Sequence, residues 1–234
     1  MEQIIKAIIL GVVEGITEFL PVSSTGHLII AGDLLDFKGS FAVLFEVVIQ
    51  FGAILAVLFY YRNKIFESLS KLKPGQTGFA LWSKILVAFL PSAVLGLIAK
   101  DFIEENLFTS YTVSIALIIG GLLILLVGKW GAKPSINRIE ELTYKHVFFI
   151  GIMQCLALFP GMSRSASTIL GGMLAGVTLN IAAEFSFFLA IPTMLGATMF
   201  SLFDGVSGLT LQNWVVLCIG FSVSFLTALL VIDK

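Results

Sequence analysis

The chain has 234 residues, 58% of them hydrophobic and 12% charged, with 14 Lys and Arg against 15 Asp and Glu. At a mean hydropathy of +1.02 it carries too little polar surface to clothe a soluble globule, so its composition is that of an integral membrane protein. A net charge of −1 excludes the polybasic footprint of a nucleic-acid binder, and the basic residues cluster only between apolar segments.

In chain order, MEQIIKAIIL has no basic n-region and no convincing cleavage site, so it does not read as a removable signal peptide. The first apolar element is broken, covering about 4–20 and 24–36, with each arm too short or interrupted for an independent span. A span at about 42–61 leads to a polar connection at about 62–79, with room for a short interfacial helix, and then come spans at about 80–99 and 112–128. A second broken element covers about 146–159 and 163–176, before spans at about 181–203 and 212–232. The predicted fold is an all-α polytopic membrane protein forming a single transmembrane domain over 1–234, with two re-entrant helix–loop–helix hairpins and about five to six full transmembrane helices.

Loop charge orients these elements. Arg62, Lys64, Lys71, Lys73 and Lys84 fall in or beside one connection and Lys129, Lys133, Arg138 and Lys145 in another, which places both on the cytoplasmic side. Lys100 with Asp101, Glu104 and Glu105 fits the opposite side. The two broken elements then enter from opposite faces. Residues 11–32 and 151–172 align without a gap, with Gly11/Gly151, Phe19/Phe159, Ser23/Ser163, Ile29/Ile169 and Gly32/Gly172 identical. This predicts an inverted repeat, 1–128 with its hairpin at about 4–36 and 129–234 with its hairpin at about 146–176, and functional groups where the breaks meet. Two kinked spanning helices packed through glycine are the alternative.

Charge inside apolar segments is expensive, which directs attention to the breaks. Glu14 and Glu18 stand four apart, so on a helix they share a face, as hard oxygen ligands for a divalent cation or as a coupled proton-transfer pair. Glu46 in the next span could join them. After Pro21, Ser23, Ser24 and Thr25 begin a returning helix whose N-terminus suits a phosphate, although Ser23 and Thr25 serve equally as caps. His27, three residues after Ser24, can share its helix face as acid or base to a hydroxyl nucleophile. At the second break, Ser163, Ser165, Ser167 and Thr168 surround Arg164, whose fork matches phosphate oxygens. A structural ion pair from Arg164 to Glu14, Glu18 or Glu46 is the competing reading, and it too would join the breaks. Glu184 reads as interfacial and is left out of the site, while Cys155 and Cys218 read as ordinary buried residues. These parts suit hydrolysis of a phosphoanhydride carried on a lipid, whereas nucleotide-driven and redox chemistry find no motif.

EGITEFLPVSSTGH at 14–27, FEVVIQFGAILAV at 45–57 and PGMSRSAST at 160–168 resemble the signatures of the bacterial undecaprenyl pyrophosphate phosphatase family associated with bacitracin resistance. The resemblance implies hydrolysis of undecaprenyl pyrophosphate to undecaprenyl phosphate and phosphate, recycling the carrier lipid of peptidoglycan synthesis. It also implies a plasma-membrane location, a site open to the outer face, and a divalent cation, with Mg2+ first and Ca2+ or Mn2+ as alternatives. By motif, Glu14 and Glu18 become the metal-binding and proton-transfer pair, and Ser24, favoured as nucleophile, His27 and Arg164 complete the catalytic group. Ser23, Thr25, Ser163, Ser165 and Thr168 become substrate-binding. The implied partners are the polyprenyl pyrophosphate and membrane lipids, with no nucleic acid or nucleotide and with a homodimer left open. Family members usually continue through a further membrane segment after the position of SFLTALLVIDK, so the expectation is either a truncated or short member or an incomplete C-terminal bundle. The competing function is a transporter or flippase for a polyprenyl phosphate or other anion, because broken helices and buried charge also serve alternating access.

Overall fold

The computed structural model describes residues 1–107, 109–130, 134–205 and 209–232; Lys133 of the second basic connection lies outside them. Among the described residues the regular elements are helices: α1 (Glu2–Thr17), α2 (Ser24–Leu34), α3 (Ser40–Tyr60), α4 (Arg62–Ser70), α5 (Thr77–Asn106), α6 (Ser110–Trp130), α7 (Tyr144–Gln154), α8 (Arg164–Leu174), α9 (Leu179–Gly205) and α10 (Leu211–Val231). Five are apolar and long enough to cross a bilayer, through Ser40–Tyr60, Thr77–Ala99, Tyr111–Lys129, Leu179–Met199 and Leu211–Val231. They coincide with the five expected spans, and α4 supplies the short helix in the polar connection. Half of the α3 span is buried against protein but only 11% of the α6 span, so α3 is central and α6 peripheral.

The two broken elements are helical hairpins. Pro21 cannot continue α1, because it lacks the N–H and disfavours helical backbone in the residue before it, so the chain turns between Thr17 and Ser24. Lys6, near the start of α1, donates to the carbonyl of Asp36, just beyond α2, at 3.4 Å, which shows the arms folded back on each other. In the second element α7 runs into a 3-10 turn at Cys155–Leu158 before Pro160. A Cβ at Gly171 of α8 would lie 2.9 Å from the Cβ of Met153 on α7. At 11 residues each, α2 and α8 are about 16 Å long, about half of a ~30 Å hydrocarbon core.

The correspondence between hairpins extends past the aligned stretch. Ser23 and Ser163 cap α2 and α8, accepting from the backbone N–H of Gly26 and Ala166. At the other ends, Phe37 N–H donates to Gly32 carbonyl at 2.8 Å and Val177 N–H to Gly172 carbonyl at 2.9 Å. The left-handed residue that each such closure needs is Asp36 (φ 51°) in one copy and Gly176 (φ 82°) in the other.

Each hairpin packs against a helix from the far half of the chain. A Cβ at Gly11 would come within 2.7 Å of Gly220 carbonyl on α10, and one at Gly151 within 2.4 Å of Ala88 carbonyl on α5. The absence of side chains at this matched pair lets backbones touch, the usual route to tight helix packing in membranes. Among the apolar cores of the described residues, one gathers Ala7, Leu10, Leu28, Phe45, Ile49 and Leu217 around the first hairpin, another Ile85, Ala88, Val147, Ile150, Phe188 and Leu189 around the second, and a smaller one Phe19, Ala53, Ala56, Val57 and Ala228 between the first break, α3 and α10. Gly151→Ala should therefore force α7 off α5 and cost about 1–3 kcal/mol, read as a lower apparent Tm in detergent. Gly128→Ala inside α6, where an added Cβ meets nothing within 4 Å, should not lower Tm.

The cysteines depart from expectation. Cys155 is half-buried on the 3-10 turn of the second hairpin, and Cys218 on α10 is exposed, because an apolar residue of a spanning helix can face lipid as readily as the core.

Candidate active site

The breaks of the two hairpins meet. Ser165, in the first turn of α8, donates its hydroxyl to Leu20 carbonyl in the first break at 3.0 Å, and Arg164 Nη2 reaches Glu18 Oε1 at 2.7 Å. Glu18 is 4% and Arg164 10% exposed, so the pair is screened from solvent and joins elements 146 residues apart in sequence.

Glu18 has a second partner. Ser24 Oγ donates to Glu18 Oε2 at 2.5 Å, a short charge-assisted hydrogen bond, so one carboxylate links the Ser24 hydroxyl and the Arg164 guanidinium. Glu18 can accept the Ser24 proton while Arg164 holds its orientation. His27 does not take this part: its Nδ1 lies 2.8 Å from Ser23 carbonyl and its side chain is exposed. The three-residue spacing gives Ser24 and His27 related directions, but the bond back to its own helix terminus fixes the imidazole. The expected Ser24–His27 pairing is thus replaced by Ser24–Glu18.

Glu14, one helical turn before Glu18, is fully buried with both carboxylate oxygens lacking a hydrogen-bond partner. A buried carboxylate in that condition calls for a proton or a cation. Glu46 on α3 lies within electrostatic range of it. Among the described residues no group of three or more His, Cys, Asp or Glu could hold a metal ion on its own.

Glu18, Ser24, Arg164 and Ser165 line a cleft with Ser23, Thr25 and Ser163. The N-termini of α2 and α8 border it, and the first-turn N–H groups of Ser24 and Thr25 have no intrahelical acceptor, so the positive end of the helix faces the space where an anion would lie. Ser23 caps α2 at φ 66° and ψ 95°, an unfavourable backbone for a non-glycine residue, whereas its counterpart Ser163 sits at φ −70°. The strain falls on the break that carries Ser24. Ser163 Oγ is 2.9 Å from Ser165 Oγ, which ties the second break's hydroxyls together.

Thr168 does not reach the cleft. It is 1% exposed, and its hydroxyl turns to Ser186 Oγ on α9 at 2.7 Å, because four residues along α8 carry it past the helix terminus and into the α8–α9 contact. Ser167 likewise bonds back to Ser163 carbonyl. Glu184 pairs with Lys64 of α4, away from the cleft. Two side chains that carry no charge in the sequence also belong to the site, Gln50 in the cleft and Ser186 behind Arg164. Gln50, one turn after Glu46 on α3, lines the cleft with Nε2 3.5 Å from Thr25 Oγ1, and an amide inside an apolar span was the available signal. Ser186, in EFSFFLAIP, offered no signal, since a lone serine is an ordinary small residue at a membrane helix contact.

The fold and cleft define a multi-pass helical membrane protein that keeps an acid, a hydroxyl and a guanidinium together out of solvent. Residues 7–234 match the family model described as bacitracin resistance protein BacA, and the chain belongs to that family. Among its relatives, a protein of Thermoanaerobacter sp. strain X514 is 57% identical, over 100% of this chain and 87% of its own length. One of Clostridium tetani is 47% identical over the same shares. A third, of Acinetobacter baumannii strain ATCC 17978, is 46% identical over 98% of this chain and 85% of its own length. All three are named undecaprenyl-diphosphatase.

Proposed function

We propose that the chain is an undecaprenyl-diphosphatase, releasing the terminal phosphate of undecaprenyl pyrophosphate and returning undecaprenyl phosphate to peptidoglycan synthesis. The observation that carries this reading is the bridge made by Glu18, which accepts from Ser24 at 2.5 Å and pairs with Arg164 at 2.7 Å, within a family whose relatives bear that name. The terminal phosphate enters the cleft with its oxygens toward Arg164 and the α2 N-terminus. Ser24 Oγ attacks the terminal phosphorus as its proton passes to Glu18, and the bond to the bridging oxygen breaks, freeing undecaprenyl phosphate. Water then attacks the phosphoserine, Ser24 recovers its proton, and phosphate leaves.

Glu14 and Glu18 would hold a divalent cation, Mg2+ before Ca2+ or Mn2+. The unpartnered, fully buried carboxylate of Glu14 fits that role, and Mg2+ commonly uses one or two carboxylates together with substrate phosphates. When bound, it would offset the pyrophosphate charge. Glu14→Gln should abolish phosphate release without lowering apparent Tm, because it keeps the shape while removing a buried charge set beside a second carboxyl group, that of Glu18. EDTA should silence the wild type reversibly.

The short arms of α2 and α8 support hairpins that enter the bilayer and return, and the loop charges support their entry from opposite faces, with the cleft open to the outer side. The exchange in which α1 packs on α10 and α7 on α5 supports an interdigitated inverted repeat. The carrier reading gains nothing from relatives named as phosphatases. Purified protein with undecaprenyl pyrophosphate decides between them: metal-dependent phosphate release is expected, and lipid movement without release would overturn the proposal.

A further inference from the structure

Arg164 reaches the cleft from α8, but it is held from α9. Its Nη1 donates to Ser186 carbonyl at 3.1 Å and to Ser186 Oγ at 3.3 Å, while Nη2 takes Glu18 Oε1 at 2.7 Å. Met194 Sδ, two turns further along α9, lies 3.9 Å from Nη2. Nε, also buried, has no hydrogen-bond partner. Ser186 is itself fully buried and receives the Thr168 hydroxyl at 2.7 Å. Thr168 Oγ1 also lies 3.0 Å from Arg164 carbonyl and 3.1 Å from Ser165 carbonyl, two acceptors that share its single proton with Ser186.

We infer that Ser186, with Thr168 behind it, is a positioning residue that fixes the plane of the Arg164 guanidinium and so keeps its unpartnered N–H available to the substrate phosphate. The inference rests on the phosphatase reading above. A guanidinium fork is useful only at a defined angle, because its donors are rigidly coplanar. Glu18 alone holds one Nη and leaves rotation about that contact open; Ser186 holds the other Nη through its carbonyl and its hydroxyl together, and the hydroxyl is the part that Ser186→Ala removes. The geometry therefore gives Thr168 a part different from substrate contact. It acts through Ser186 on Arg164, from a place the substrate does not reach.

A merely structural hydroxyl pair would affect stability, whereas a positioning pair affects what Arg164 does. The test compares phosphate release from undecaprenyl pyrophosphate by wild type, Ser186→Ala, Thr168→Val, the double variant and Thr168→Ser, each with its apparent Tm. Ser186→Ala and Thr168→Val are each expected to lower kcat/KM about tenfold or more. The double variant should fall little further, because the two hydroxyls act in series. Thr168→Ser, which keeps the hydroxyl, should restore most of the activity at any Tm. Wild-type turnover matched by Ser186→Ala and Thr168→Val would overturn the positioning inference alone, as would fully multiplicative losses. If Ser186→Ala does not accumulate in membranes, equal activity of Thr168→Val and Thr168→Ser overturns it. A wild type that releases no phosphate would sink the phosphatase reading, and the inference with it.

Discussion

Glu18→Gln should lose phosphate release by at least about 10³-fold, within the range contributed by a positioned acid–base group. The substitution keeps size and shape, but an amide presents one acceptor and one donor where the carboxylate presents two acceptors. If its oxygen stays with Arg164, its NH2 group faces Ser24 Oγ, and the serine proton has nowhere to go. If it flips, the NH2 group faces the guanidinium instead. Stability should fall as well. Glu18 is 4% and Arg164 10% exposed, and breaking a buried pair by removing one partner costs about 3–5 kcal/mol. The two losses separate through Glu18→Asp, which keeps the charge and retracts it by one methylene: Tm should recover more than turnover. Turnover by Glu18→Gln within tenfold of wild type would remove Glu18 from the role of base and return that role to His27.

Arg164→Lys is the second large effect. Charge is retained, so an account based on charge alone expects little change. The structure expects kcat/KM to drop by about 10²- to 10³-fold, the scale of losing a donor aimed at developing negative charge. The guanidinium has Ser186 on one Nη, Glu18 on the other and Nε to spare. A lysine ammonium is a single point at the end of a flexible stem and cannot occupy those positions together. The check is steady-state kinetics on Arg164→Lys beside Arg164→Ala. Lysine performing near wild type would mean that the fork geometry is irrelevant; lysine performing near alanine is the expected outcome.

Spans and breaks were legible in the sequence because each depends on a local property. Bilayer-length apolar runs mark α3, α5, α6, α9 and α10, and proline with hydroxyl residues marks the turns. The residues of the cleft were legible because charge inside an apolar segment is costly and seldom kept without a function. Partnership was less so. Spacing along one helix suggested Ser24 with His27, but the geometry that decides their directions is that of the break, where Ser24 meets a carboxylate from the preceding helix. Thr168 was grouped with its neighbours in PGMSRSAST, and it does share a helix face with Arg164, but one full turn along α8 carries it past the cleft to Ser186. Ser186 was invisible, since its role exists only once α9 lies against α8. Gly11 and Gly151 were visible as a matched pair, but nothing local showed that each would touch the opposite half of the chain.

That last exchange is also ordered in time. The first hairpin, which carries Glu14, Glu18 and Ser24, leaves the ribosome well before its partners, for Gly11 seats against Gly220 on α10, about 200 residues later. At about 5–20 residues per second, the earlier segment waits roughly 10–40 s for the helix that receives it, and Glu18 waits for Arg164 through most of that interval. The acidic half of the cleft therefore spends its early life without Arg164, and α1 gains the helix it packs on only when α10 arrives. A product that stops short of α10 would carry Glu14, Glu18 and Ser24 without the helix against which α1 packs.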